Sequence, residues 1–438
     1  MLFLVGARAA RAESGYLVRV ESGAVYLDLG EKAGAAAGQR FQIYSEGDEL
    51  KHPVTGQPLG RMEKPVAEGR LTLVLPLYSV GELMAGESAA GLKPGLRARL
   101  IPPAAPVQAP AAAAPAPAAG PAERTPRWTS PTLPYRVVAM AAADFRGDGS
   151  TTLALADKKT VSLYDYPPKK GEPSAQYVIP GSGPRILSLA AGDVNGNGRA
   201  ELFVTLYNET FDRVETVALE WTDGRWSQAG ELPWMVRGFQ DESGRPALAM
   251  QQLLEDETFP FSKIYRLAFA DGKYVPGEAL KLKRVEFLYD FTEAKLQESG
   301  APALLYHTST DRIRAQFKDG FWKTEQAYGQ TPTRLRWHGR LLEFHPQTPV
   351  GYEAGKAAVY LIKNTAVLGG LSEPFGVFNG GEVERRDWNG VALATRWRAE
   401  LGGYCTAAAL VPGPDKPADL AVAVTSTAGT SAVWVFDP

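Results

Sequence analysis

Short runs of apolar residues fill most of the chain, and steps rich in glycine, proline or asparagine separate them. In the N-terminal part, residues 16–20 and 24–29 are two such runs around a short turn, and residues 40–44 and 70–75 alternate between apolar and polar positions. A period of two residues is typical of strands with one buried face, and short turns between them indicate hairpins. The pattern predicts an all-β chain that begins with a small closed β-barrel over residues 13–101.

A change of composition interrupts this pattern. From Pro102 to Ala122 the chain consists of seven prolines, eleven alanines and one residue each of valine, glutamine and glycine. Such a segment buries too little apolar area to fold by itself, and its prolines favour an extended chain. We therefore predict a Pro/Ala-rich linker over residues 102–126 and a second domain over residues 127–438.

Two kinds of repeat mark the second domain. Asp144 and Asp193 each open a glycine-rich loop between two apolar runs, and they lie 49 residues apart. Asp-Gly, followed after one residue by an aromatic residue, recurs at Asp223, Asp271 and Asp319 in steps of 48 residues. One loop and one hairpin in about 48 residues match a four-stranded antiparallel blade, and blades of that length around an axis form a β-propeller.

The repeats predict six blades, or seven, because the stretch 328–402 is longer than one regular blade. The last repeat offers three strands, whereas residues 127–135 resemble residues 225–234, which end the second repeat. We therefore expect residues 127–135 to pair with the last blade. Such a pairing would remove the open edge of that sheet.

The pattern Asp-x-Asn-Gly-Asn-Gly-x-x-Glu between two apolar runs resembles the FG-GAP/VCBS repeat family of integrin-type propellers. The likeness is strong at residues 186–206, fair at residues 137–156 and faint after residue 240. This resemblance implies an all-β propeller that binds other molecules and carries calcium loops.

The first domain has a resemblance of its own. Gly34 and Gly38 precede Phe-x-Ile-Tyr at residues 41–44, and His-Pro-x-Thr-Gly-x-x-Leu-Gly follows at residues 52–60. This arrangement resembles the small SH3-like domain at the C-terminus of flagellar assembly protein T, over roughly residues 16–100. It implies an SH3-like β-barrel.

The second loop offers oxygen ligands at alternate positions. Asp193, Asn195 and Asn197 occupy positions one, three and five, Arg199 offers its backbone carbonyl at position seven, and Glu201 closes the loop at position nine. Calcium prefers six to eight hard oxygen ligands, and glycines permit the tight bend. We predict one calcium site, with a dissociation constant on the order of 10⁻⁴–10⁻³ M because only two ligands are charged. A metal-free, hydrogen-bonded turn is the alternative.

The first loop departs from this pattern. Asp144 and Asp148 hold positions one and five, but Arg146 takes position three and Thr152 takes position nine. A guanidinium group repels a cation and is able to donate charge-assisted hydrogen bonds to both aspartates. We expect this degenerate loop to be metal-free.

Composition and the N-terminal residues indicate which partners and which cell compartment to expect. The chain has 47 basic and 49 acidic residues and a formal net charge of −2, which gives no reason to expect a nucleic acid as partner. Cys405 is the single cysteine, so no internal disulfide forms.

No apolar run approaches the ~18 residues of a transmembrane segment. Ala-x-Ala at residues 10–12 is typical of signal peptidase sites, so residues 1–12 are predicted to be a residual signal peptide of an exported, bacterial, periplasmic or extracellular protein.

The chain lacks the sequence motifs of common catalytic sites. Its four histidines do not have the spacing of zinc enzymes, and neither a nucleophile elbow nor a phosphate-binding loop is present. We therefore predict that the protein is not an enzyme. The predicted function is that of a binding or scaffold protein whose calcium-stabilised propeller recognises a protein or polysaccharide of the cell envelope or exterior. Two alternatives stay open: a polysaccharide-active lyase or hydrolase, and a cell-envelope assembly factor that acts through the N-terminal barrel.

Overall fold

The structure is a computed structural model that describes residues 14–21, 24–36, 38–51, 58–84, 91–101, 121–166, 172–256, 260–297, 301–367, 376–413 and 417–438. The chain divides into two compact units, Met1–Pro117 and Ala118–Pro438. Strands dominate the described residues, which contain two short 3-10 helices, Glu31–Ala33 and Leu288–Asp290, and no α-helix. The prediction of an all-β protein is confirmed. The predicted signal peptide and residues 102–120 of the predicted linker lie outside the described residues.

The first unit is a closed barrel of six strands in the order β1-β2-β5-β4-β3-β6. These strands are β1 (Ser14–Glu21), β2 (Ala24–Leu27), β3 (Arg40–Lys51), β4 (Pro58–Val74), β5 (Ser79–Leu83) and β6 (Arg97–Leu100). The fully buried ring of Phe41 lies in the single hydrophobic cluster of this barrel. Gly69 and Gly81 contact that ring so closely that a Cβ atom at either position would collide with it. The two glycines therefore make room for the aromatic ring that fills the barrel. The turn-rich residues 52–57 lie outside the described part of the chain.

The described residues of the second unit form six large sheets and one two-stranded hairpin. The short strands β7 (Ala122–Glu123) and β8 (Trp128–Thr129) come first in the chain. Sheet 1 contains β9 (Ala139–Ala143), β10 (Thr152–Ala156), β11 (Thr160–Asp165) and β12 (Ala175–Val178). Sheet 2 contains β13 (Pro184–Gly192), β14 (Glu201–Asn208), β15 (Arg213–Thr222) and β16 (Arg225–Leu232). Sheet 3 contains β17 (Met235–Gln240), β18 (Pro246–Gln251), β19 (Tyr265–Ala270) and β20 (Lys273–Ala279).

The C-terminal half of this unit continues the series. Sheet 4 contains β21 (Phe291–Ala294), β22 (Ala303–His307), β23 (Ile313–Gln316) and β24 (Phe321–Lys323). The hairpin follows as β25 (Arg334–Trp337) and β26 (Arg340–Glu343). Sheet 5 contains β27 (Val350–Glu353), β28 (Lys356–Ala366), β29 (Phe378–Trp388), β30 (Leu393–Glu400) and also β7. Sheet 6 contains β31 (Tyr404–Val411), β32 (Asp419–Thr425), β33 (Ser431–Phe436) and also β8.

Asp-Gly steps join the third and fourth strands of sheets 2 and 3. Both residues of Asp223–Gly224 and both residues of Asp271–Gly272 have positive φ angles. This is the geometry of the type I′ turn, for which Asp-Gly is well suited. The aromatic residues that follow, Trp226 and Tyr274, are buried in the clusters between neighbouring sheets. Both rings therefore contribute to the hydrophobic core.

Each large sheet shares its apolar side chains with two neighbours. Separate clusters join sheet 1 to sheet 2, sheet 2 to sheet 3, sheet 4 to sheet 5, sheet 5 to sheet 6, and sheet 6 back to sheet 1. Sheets 3 and 4 meet through their first strands, where the rings of Phe239 and Phe291 lie 5.4 Å apart. The contacts therefore run through all six large sheets and return to the first.

The hairpin packs differently from the six large sheets. Its buried residues Leu335, Trp337 and Leu342 belong to a cluster with Leu187, Met235 and Tyr289, which lie near the starts of the first strands of sheets 2, 3 and 4. Trp337 Nε1 donates a hydrogen bond to the carbonyl of Leu254 at 2.8 Å. The hairpin is thus an insertion between sheets 4 and 5, and it accounts for the extra length of the stretch 328–402.

The segment before sheet 1 is tied to the last two sheets. β7 pairs in parallel with β30, and β8 pairs antiparallel with β33. Arg127 Nη2 donates a hydrogen bond to Asp419 Oδ2 at 2.6 Å, and the Tyr166 hydroxyl donates to the same oxygen at 2.9 Å. Because Asp419 is only 1% exposed, its buried carboxylate links this segment and sheet 1 to sheet 6.

Arg127→Met removes a cation from the buried carboxylate of Asp419. We expect the free energy of unfolding to fall by about 1–3 kcal/mol, because the buried carboxylate loses a charged hydrogen-bond donor and keeps the hydroxyl of Tyr166. Arg124→Met is the matched control: Arg124 pairs with Asp437, both side chains are more than 40% exposed, and we expect a loss below about 1 kcal/mol. Urea unfolding, monitored by tryptophan fluorescence, measures the free energy of unfolding of both variants. Equal destabilisation by the two substitutions would contradict this account.

Candidate functional site

Two acidic loops leave the ends of the first strands of sheets 1 and 2. Acidic loop 1 is Asp144–Thr152 and follows β9, whereas acidic loop 2 is Asp193–Glu201 and follows β13. Two glycines in each loop, Gly147 and Gly149 in the first and Gly196 and Gly198 in the second, have φ angles between 70° and 84°. Glycine adopts this left-handed conformation without strain, so the two loops share one backbone shape.

The backbone amides of acidic loop 2 orient the predicted ligands. Asp193 Oδ1 accepts hydrogen bonds from the amides of Gly196 at 2.8 Å and Asn197 at 3.1 Å, and Oδ2 accepts one from Gly198 at 2.9 Å. The side-chain oxygens of Asn195 and Asn197 each accept a backbone amide hydrogen bond at 3.0 Å. The loop therefore holds these three side chains in place, while Asp193 and Asn197 stay accessible to solvent.

Glu201 closes the loop from within the core. The residue is fully buried, and its Oε2 accepts a hydrogen bond from the amide of Val194 at 2.8 Å, whereas its buried Oε1 has no hydrogen-bond partner. The pKa of Glu201 is raised to about 7, mainly by burial. The nearby negative charges of Asp193 and Glu220 contribute to the same rise. An unpartnered buried oxygen costs free energy. The donor set of carboxylates, amide oxygens and a backbone carbonyl is the set that calcium prefers.

The side chain of Arg199 extends to the third strand of the same sheet. Its guanidinium lies 3.2 Å from Glu220 Oε1 and donates to the carbonyl of Trp221 at 3.3 Å. Asn197 Nδ2 also donates to Glu220 Oε1, at 2.6 Å. Glu220 is therefore part of the electrostatic surroundings of acidic loop 2, although it lies 19 residues after Glu201 and no sequence pattern indicated it.

Acidic loop 1 keeps the backbone hydrogen bonds without the closing carboxylate. Asp144 accepts amide hydrogen bonds from Gly147 at 2.7 Å and Gly149 at 2.8 Å, as Asp193 does in the second loop. Position nine holds Thr152, which is 1% exposed and donates its hydroxyl to the carbonyl of Ala143 at 3.3 Å. This loop therefore has no counterpart of the unpartnered Glu201 oxygen among its described atoms.

Arg146 does not take the place that its position in the loop suggested. A guanidinium at this position is able to bond Asp144 and Asp148, but that of Arg146 pairs with Asp165 at 2.8 Å and donates to the Ser174 hydroxyl at 2.9 Å. The physical reason is that loop amides already occupy the oxygens of Asp144, and Asp148 Oδ1 accepts from the amide and hydroxyl of Ser150.

A cavity of about 400 Å³ opens near the ends of the first strands of five sheets. Its wall is formed mainly by small and apolar residues, among them Met140, Leu189, Gly238, Phe239, Tyr352 and Leu410. None of the described residues that line it carries a charged side chain. The cavity therefore suits an apolar group and offers no acid–base pair.

A family model for FG-GAP-like repeats matches residues 144–204, which include both acidic loops. The resemblance to FG-GAP repeats is confirmed over this range. No curated protein matches the chain. In the described part of the chain, no helix has the length and apolar character needed to span a membrane.

Glu201→Gln tests the cost of ionising the buried carboxyl in protein freed of metal with EDTA. The pKa of Glu201 is raised from its usual value of about 4.5 to about 7 in the folded protein. The stability of the wild type relative to the glutamine variant should therefore be highest below pH 4.5 and should fall by about 2–3 kcal/mol as the pH rises through 7. Urea unfolding at a series of pH values measures this difference. Glu231→Gln, at an exposed position, should follow the wild-type curve, and a Glu201→Gln curve parallel to the wild type would refute the prediction.

Proposed function

We propose that residues 127–438 form a six-bladed β-propeller and that the protein is an exported binding or scaffold protein. The six large sheets correspond to the blades, and the hairpin is a plug inserted between the fourth and fifth. The cyclic series of sheet contacts and the FG-GAP-like match support this proposal. FG-GAP repeats are protein-interaction modules typical of extracellular proteins. The closed barrel of the first unit is consistent with an SH3-like domain.

Calcium binding at acidic loop 2 is part of this proposal. The observation that carries it is the buried, unpartnered Oε1 of Glu201 next to side chains that the loop amides hold in place. Asp193, Asn195, Asn197, Glu201 and the carbonyl of Arg199 would hold one ion. The ion would satisfy Glu201 and fasten the turn between β13 and β14.

Calcium titration of thermal unfolding tests this site. At about 10 mM calcium the wild type should gain about 1.5–3 kcal/mol, given a dissociation constant of 10⁻⁴–10⁻³ M. Asp193→Asn should lose this gain, because the first charged ligand is removed. Asp144→Asn, the same change in acidic loop 1, should retain it. Identical responses of the two variants, or a melting curve that calcium leaves unchanged, would show that acidic loop 2 is a metal-free turn.

The uncharged cavity supports binding over catalysis. A glycoside hydrolase requires two carboxyl groups that flank the substrate, and no carboxylate lines this cavity among the described residues. Cys405 is fully buried, and burial raises the pKa of its thiol to about 12, so it is a poor nucleophile. The polysaccharide-active enzyme is therefore the weaker hypothesis, and the assembly factor stays a prediction.

Gly238→Leu tests whether the cavity binds the partner. The three atoms nearest to a Cβ at this position belong to the side chains of Gln347 and Leu248, at 3.4 Å or more, so leucine extends into the cavity without backbone strain. Immobilised wild-type protein should retain an envelope protein or polysaccharide that Gly238→Leu retains at least about ten-fold less, a loss of 1.4 kcal/mol or more. Gly320→Leu is the control, because a Cβ there meets nothing within 4 Å. Equal retention by both variants would place the binding surface elsewhere.

A further inference from the structure

Titratable side chains from sheet 4 and the hairpin meet where these two elements pack. His307 ends β22, and Asp311 lies in the turn that follows it. Glu343 ends β26, and His345 follows two residues later. Asp290 precedes β21, the first strand of sheet 4. The five residues come from three segments of the chain, so no single spacing motif connects them in the sequence.

Three of these side chains form a compact set of metal-binding atoms. One ligand atom from each of Asp311, Glu343 and His345 lies within 4.8 Å of the other two. His345 is 7% exposed, and its Nε2 is 3.5 Å from Asp311 Oδ1 and has no hydrogen-bond partner. A buried nitrogen without a partner, directed at a carboxylate, is the arrangement that a bound cation would satisfy.

The other ring nitrogen of His345 is already oriented. Nδ1 lies 2.9 Å from Asp290 Oδ1. Histidines that bind metals usually donate their second N–H to a carboxylate or a carbonyl, which fixes the ring and directs the other nitrogen at the ion. Asp290 therefore provides the support that a ligating Nε2 requires.

His307 packs directly against His345. Its ring stacks on that of His345, with centroids 4.1 Å apart and planes at 6°. His307 is 8% exposed, and both of its ring nitrogens lack a hydrogen-bond partner. The parallel stack fixes the plane of the His345 ring, so that Nε2 stays directed at Asp311.

The surroundings of His345 favour positive charge. The carboxylates of Asp290 and Asp311 lie 2.9 Å from Nδ1 and 3.5 Å from Nε2 of its ring. Arg334, which lies 2.5 Å from Glu343 Oε1, is the nearest competing cation on the hairpin. A carboxylate has two oxygens, so Glu343 is able to contact an ion as well as Arg334.

We propose that Asp311, Glu343 and His345 bind a divalent transition-metal ion such as Zn²⁺ and that this ion fastens the hairpin to sheet 4. Imidazole and carboxylate ligands together suit zinc, whereas calcium prefers oxygen ligands alone. Tetrahedral bonds of about 2.1 Å place donors about 3.4 Å apart, so donor atoms that lie up to 4.8 Å apart must approach by at most about 1.4 Å. The site is separate from acidic loop 2 and does not depend on calcium binding there.

Zinc titration of the full chain, stripped of metal by a chelator and followed by calorimetry, tests the proposal. The wild type should bind one equivalent of zinc, His345→Gln should bind it at least about 100-fold more weakly, and Asp290→Asn about 10–100-fold more weakly. His338→Gln is the matched control, because His338 is an exposed histidine at the turn of the same hairpin. It should bind zinc like the wild type. Asp193→Asn should also retain zinc, which separates this site from the proposed calcium loop.

Two outcomes would overturn the metal site: a wild type that binds no stoichiometric zinc, and equal binding by His345→Gln and His338→Gln. If His345→Gln does not fold, the visible absorption of the wild type loaded with Co²⁺ decides, and absence of tetrahedral cobalt bands rejects the site. Hydrogen exchange tests the fastening. Zinc should slow the exchange of amides in residues 334–347 at least about ten-fold and leave acidic loop 2 unchanged. No protection of the hairpin would reject the fastening role.

Discussion

The second unit depends on one constraint: each large sheet has apolar side chains on both faces, and neither face is stable in water without a neighbour. β14 shows this within three residues, since Leu202 and Val204 pack against sheet 1 while Phe203, between them, packs against sheet 3. Alternate residues of a strand point to opposite faces, so each such sheet needs two partners. A row of these sheets would leave two apolar faces exposed, whereas the contact between sheet 6 and sheet 1 covers both.

The hairpin makes the two ends of this arrangement chemically different. The ends of the first strands carry the acidic loops and the uncharged cavity, and the starts of these strands are covered by the hairpin. Arg237 connects the regions: it is buried and donates to the carbonyls of Leu288 at 3.1 Å and Pro346 at 3.3 Å. Burial lowers its pKa to about 10, so the guanidinium stays charged at neutral pH and holds the chain that leaves the hairpin. Next to the hairpin, the space between the first strands is reduced to a cavity of about 50 Å³ that is lined in part by Phe344 and His345.

Local patterns revealed much of this architecture. The strands, the Asp223–Gly224 and Asp271–Gly272 turns and the ligand order of Asp193–Glu201 each depend on residues close together in the chain, so their spacing was informative. The all-β class and the FG-GAP-like repeat are confirmed. Calcium binding, the blade number and the SH3-like character of the barrel stay predictions.

Features that depend on packing between distant elements were not predictable in this way. The excess length of the stretch 328–402 was evident, but spacing does not distinguish an inserted hairpin from a seventh blade. Glu220 and the His345 cluster come from separate strands, so no motif indicated them. The direction of the Arg146 side chain depends on which carboxylate oxygens are able to accept its hydrogen bonds. The sequence does not show that loop amides already occupy the oxygens of Asp144.

The pairing of β8 with β33 also has a consequence for synthesis on the ribosome. Thr129 is opposite Trp434, so the two partners are made about 300 residues apart. At roughly 5–20 residues per second, β33 emerges about 15–60 s after β8. During this interval the face of sheet 1 that packs against sheet 6 in the finished fold stays uncovered. A nascent chain with such an apolar face exposed is prone to aggregate. The segment that precedes sheet 1 is thus made before that sheet but is fixed only after β33 has been made, so this unit completes its fold only then.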